Sequence, residues 1–152
     1  MNSQPGSQAF PSVAKYLGYG GVIPFVVLAL SLIAGVDLSA YGLADATAKL
    51  LAYAAVIVSF IGAVHWGVAL GISSEHQSRL FLYSVLPALF AWVWTFLPAG
   101  IALIGMSVTI FAMYFIDRQL LVSHVPQGYL KMRFHLTVVV GLSLLLAALR
   151  VL

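Results

Sequence analysis

Residues 49–72 read KLLAYAAVIVSFIGAVHWGVALGI, an apolar run that begins at Lys49 and holds one histidine, His65. About twenty apolar residues in helical form cross a hydrocarbon core roughly 30 Å thick, so this run is long enough to span a bilayer. Its apolar residues are continuous and do not alternate, which favours a helix over a lipid-facing barrel strand. Four further runs of the same character follow from the sequence, and the expected spans are 16–35, 49–72, 79–97, 99–118 and 134–152. The reading is therefore an all-α membrane protein, a single bundle of five transmembrane helices over 16–152 behind a flexible polar tail at 1–15.

Composition sets the same class independently. With 62% hydrophobic and 7% charged residues, the chain lies far from the roughly 25% charged residues of a soluble domain. The basic balance rests on seven Lys and Arg placed at span ends, which fits a membrane surface and gives no reason to expect nucleic acid. The absence of cysteine excludes disulfides, thiolate metal sites and cysteine nucleophiles. The first apolar run lacks a small-residue cleavage pattern and reads as a retained helix. Pro98 and Gly100 predict a tight antiparallel hairpin between the third and fourth spans. Asp45 is placed to cap the second, and Pro87 to bend the third. The longest connection is expected at 119–133, where Pro126 and Gly128 would prevent a straight helix.

Orientation follows from the cations. Lys15, Arg79, Arg118, Lys131 and Arg133 fall on one side of the five-span arrangement, and Lys49 and Arg150 on the other. The excess places the N-terminus in the cytoplasm and the C-terminus in the periplasm. His65, His76, His124 and His135 share the cytoplasmic side with Glu75 and Asp117, so any chemistry is expected there.

Two features of the second span invite a reading in chemical terms. Ala55, Ser59, Ala63, Gly67 and Gly71 recur every fourth residue, a small-residue seam along which another helix can approach closely. His65 points instead to the face that carries Ala54, Val58, Ile61 and Gly62. An imidazole inside a span needs a polar partner and is either a structural hydrogen-bonding residue or a functional one. The candidate ligand or proton site is His65, Trp66, Ser84, Asp117, Arg118 and His135, with Asp117 able to orient an imidazole or to pair with Arg79, Lys131 or Arg133. The scattered histidines lack the spacing of a zinc site, and only His65 lies deep enough for a haem ligand. Neither metal nor haem is expected, and no cofactor is identified. Trp66, Trp92 and Trp94 read first as interfacial anchors, with quinone or lipid binding as the sharper alternative.

The run from Tyr53 through Ser59, Phe60, Gly62 and His65-Trp66-Gly67, followed by Ser84-Val-Leu-Pro87 and Trp92, resembles a domain-of-unknown-function family of small multi-span membrane proteins that includes mitochondrial transmembrane protein sixty-nine. Asp117-Arg118 and Tyr129-Leu-Lys-Met-Arg133 are similar to that family as well. The resemblance covers the chain from Lys15 onward and implies a protein of bacterial inner membranes and mitochondria, without a defined activity. No nucleophile with an adjacent base and no phosphate-binding glycine loop is present. The expected function is a non-enzymatic inner-membrane component that packs with partner membrane proteins or with itself in the lipid bilayer. The alternative is a small channel or carrier that moves protons or a small solute past His65.

Overall fold

In the computed structural model, which describes residues 10–72 and 77–152, every regular element is helical. Six α-helices follow in order: α1 (Ser12–Gly20), α2 (Ile23–Ala34), α3 (Ala46–Leu70), α4 (Gln77–Trp94), α5 (Ala99–Leu120) and α6 (Gln127–Val151), with one 3₁₀ turn at Ser39–Tyr41. Four helical stretches are long and apolar enough to cross a membrane: Ser12–Ala34, Ala46–Leu70, Ala99–Leu120 and Gly128–Val151. The helix α4, with Gln77 and Arg79 in its first turn, is not among them.

The helix ends have local causes. Asp45 sits in the left-handed region (φ 54°) and accepts a 2.9 Å hydrogen bond from the Ala48 amide, capping α3. Gly35, also left-handed (φ 66°), closes α2 while the Val36 amide reaches back to the Ser31 carbonyl. In the loop beyond it, the Asp37 carboxylate accepts from the Ser39 amide (2.8 Å) and hydroxyl (2.9 Å), and the two bonds, the amide's first, hold its pKa below the usual carboxylate range.

Three expected boundaries are corrected. The first span is two helices, α1 and α2, parted at Gly21 and Val22, because Pro24 offers no amide to the preceding turn and Gly20-Gly21 is a poor helix former. The fifth helix starts at Gln127, not 134, so the connection expected at 119–133 shrinks to 121–126. Pro126 there precedes the first turn, with ψ 143°, so the connection is not one straight helix, as expected, and the proline also starts α6. The α4–α5 turn runs through residues 95–98, while Gly100 lies inside α5, where a Cβ would meet Leu152 Cδ2 at 2.6 Å.

The bundle packs chiefly as two antiparallel pairs, α3 with α4 and α5 with α6, and α2 lies against α3 and α6. Phe25, Leu28, Leu50, Val58, Leu103, Met106, Ile110 and Leu144 form the core between them. Glycines allow the closest approaches. Gly62 lies against the Ser84 carbonyl and Pro87 of α4, Gly105 under the Trp94 indole, and Gly141 under the Phe111 ring. The small-residue seam does not carry these contacts within the chain. Ala63, Gly67 and Gly71 are exposed, Ala55 and Ser59 half-buried, and open space surrounds Gly67. The close approach on α3 belongs to the face that also holds His65.

Candidate functional site

Three helices each deliver one polar side chain to the same buried point. His65 and Asp117 have no exposed surface, and Arg133 retains 5%. His65 stands five residues before the end of α3, Asp117 three before the end of α5, and Arg133 six after the start of α6. At 1.5 Å per residue all lie about 4 to 9 Å inside the same end of the bundle. The Arg133 Nε donates a 2.7 Å hydrogen bond to Asp117 Oδ2, and His65 Nε2 stands 3.2 Å from Asp117 Oδ1. The second contact lacks the alignment of a hydrogen bond, so it is electrostatic. Carbonyls of Ile61 and Gly62, one turn back on α3, lie beside the imidazole.

The charges nearly close on themselves. One carboxylate faces one guanidinium, and a neutral imidazole leaves the triad at zero net charge. A proton on His65 would leave it at plus one, in a place where an uncompensated charge is costly. Among the described residues, both ring nitrogens of His65, Asp117 Oδ1, Arg133 Nη2 and, one helical turn further along α6, Thr137 Oγ1 are buried without a hydrogen-bond partner.

The remaining candidates lie elsewhere. Arg118, about 100° around α5 from its neighbour Asp117, is exposed. His135 is also exposed, its Nδ1 sharing a 3.0 Å hydrogen bond with the Tyr19 hydroxyl, which ties α1 to α6 and leaves the ring outside the Asp117 cluster. Ser84 is buried, but its hydroxyl donates to the Phe81 carbonyl of its own helix at 2.6 Å. Trp66 is half-exposed and stacks edge-on against Phe81, 4.9 Å between centroids. His124 bonds locally to Leu120 and Ser123, and Glu75 and His76 lie outside the described residues. Of the three cations open to Asp117 in the sequence, Arg133 takes the place. Thr137 was not singled out, although it stands four residues after Arg133 and so on the same helical face.

Beside the triad, residues of α1, α2, α3 and α6 line an open, largely apolar cleft with a volume of about 470 Å³. Leu17, Phe25, Phe60, Val64 and Leu136 contribute to its walls, and Tyr129, Arg133 and Thr137 are the polar residues of its α6 side. A smaller groove of about 240 Å³ lies between α4 and α5 next to Pro87.

Fold and site together define a small all-α protein with apolar helices long enough to cross a membrane and a buried His–Asp–Arg triad. Residues 10–149 match the family described as "Protein of unknown function (DUF3429)", and the chain belongs to that family. No curated protein and no solved structure matches it.

Proposed function

We propose that the chain is a five-span protein of the bacterial inner membrane, with a cytoplasmic N-terminus and a periplasmic C-terminus, and that it is a small carrier in which His65 accepts and releases a proton. Kinship with mitochondrial transmembrane protein sixty-nine belongs to the same proposal. The observation that carries it is the convergence of His65, Asp117 and Arg133 from three helices. Ionisable groups inside a span mark ion and proton paths by default. Here a single proton on His65 changes the net charge of an otherwise balanced buried cluster. Rearrangement of the helices that bear it is then a direct electrostatic consequence. The span beyond the four apolar stretches is α4, third in chain order, whose 18 residues extend about 27 Å between antiparallel neighbours α3 and α5.

Proton uptake into vesicles that contain only this protein, driven by a potassium diffusion potential and read by an interior pH dye, tests the proposal. The wild type should acidify the lumen faster than empty vesicles, and His65→Phe should not. Equal rates for wild type and empty vesicles, or for His65→Phe and wild type, remove it. A second reading, an accessory component bound to partner membrane proteins, is favoured by the exposed Ala63, Gly67 and Gly71 stripe. Co-purification of stoichiometric partners in mild detergent, lost in Gly67→Leu, would support that reading instead.

A further inference from the structure

We propose that the cleft between α1–α2 and α3–α6 binds a membrane-soluble quinone, with a ring carbonyl held by Arg133 and Thr137. The occupant is identified by elimination from the chemistry of the walls. Its sides are apolar, and Leu17 and Phe60, at 73% and 68% exposure, bring its mouth to the lipid-facing surface. A ligand that enters there must partition from the bilayer, which excludes free ions and polar metabolites. The volume, about 470 Å³, is in the range of sites that enclose a small organic head group.

The polar end of the site narrows the class further. Five buried polar atoms lack a partner among the described residues, three of them on His65 and Asp117, and only Arg133 Nη2, which can only donate, and Thr137 Oγ1, which can donate, belong to residues that line the cleft. A buried donor left unsatisfied costs more than the bond it would make, so the pair asks for an acceptor. Arg133 is already neutralised by Asp117 at 2.7 Å. A fatty acid or a phosphate head would bring a second anion to one cation, whereas a carbonyl oxygen accepts from both donors at no charge. Phe25, Phe60 and Tyr129 line the walls, and aromatic side chains pack well against a flat head group. The inference goes beyond proton movement by His65 and holds whether or not that movement occurs.

Thermal unfolding of the purified full chain, titrated with decyl-substituted benzoquinone, diolein or oleate, tests it. The quinone should raise the melting temperature saturably, and diolein and oleate should not at equal concentration. Thr137→Val, which keeps shape and removes one donor, should weaken the apparent affinity about fivefold, the worth of one hydrogen bond. Leu17→Trp, at the exposed mouth and outside the core, should weaken it as well by closing the entrance. Saturable stabilisation by oleate or diolein at equal or lower concentration would overturn the quinone assignment. No saturable effect of the quinone, or one indifferent to both variants, would overturn the site.

Discussion

Asp117 is the residue on which the buried end of the bundle depends, since it is the counter-charge for Arg133 and the only anion 3.2 Å from His65 among the described residues. Removing one partner of a buried pair leaves the other charge uncompensated, at a cost of about 3 to 5 kcal/mol, while replacing both with apolar residues is often neutral. Asp117→Asn should therefore destabilise by about that amount in detergent unfolding, and Asp117→Leu with Arg133→Met should recover most of it. Equal losses in the single and the double variant would mean that the pair is not a unit. Half of this arrangement was legible in the sequence. The depths of His65 and Asp117 follow from counting along their helices, but Arg133 sat in an expected loop, and nothing in one sequence separates it from Arg79 or Lys131. A start at Gln127 places it nearly two turns inside α6, where it can reach α5. At the solvent-exposed Asp37, the depressed carboxyl contributes stability above the usual carboxylate range and loses it as pH falls through its own lower midpoint. Ser39→Ala retains the amide bond and deletes the hydroxyl bond, so the midpoint, followed by carboxyl-carbon NMR, should rise part of the way. An unmoved midpoint would assign the whole shift to the amide.

For the helices, the difference between Gly62 and Gly67 shows what a pattern of small residues does and does not specify. Spacing of four marks a stripe on α3, but it does not say which stripe a neighbour occupies. Pro87 and the Ser84 carbonyl sit on Gly62, one of the residues on the histidine's side of the helix, and the stripe through Gly67 stays open. Gly62→Leu should cost about 1 to 3 kcal/mol or more by forcing α4 away, whereas Gly67→Leu should change unfolding of the purified protein by less than about 0.5 kcal/mol. The reverse order would put the α3–α4 contact on the wrong face. Capping was readable directly, because a carboxylate three residues before an amide needs only local geometry. Asp45→Ala loses that bond and also strains a left-handed backbone, so a penalty of about 1 to 2 kcal/mol is expected, with Asp45→Asn close to wild type. The break in the first span and the early start of α6 were harder to read, since proline ends one helix and begins another with equal ease.

Across the whole molecule, composition alone was enough for the class, and the helical content follows from apolar runs too long and too continuous for strands. Span count rests on α4, the shortest of the long helices and the one not among the four stretches apolar enough to cross a membrane. Reporter fusions after Gln77, Gln127 and Leu152 should give cytoplasmic signals at the first two sites and a periplasmic signal at the third. A cytoplasmic signal after Leu152 would reduce the crossings to an even number and separate the charge asymmetry from the triad. The two most exposed indoles stand at opposite ends of the bundle, Trp66 four residues from the triad-side end of α3 and Trp92 beside the α4–α5 turn, each edge-on to a phenylalanine. Each is thus a native fluorophore tied to one rim. In sealed vesicles, iodide added outside would dim whichever of the two faces outward and spare the other. Paired with Trp66→Phe and Trp92→Phe, the emission of the unlabelled protein becomes a measure of what fraction of the molecules has inserted each way round.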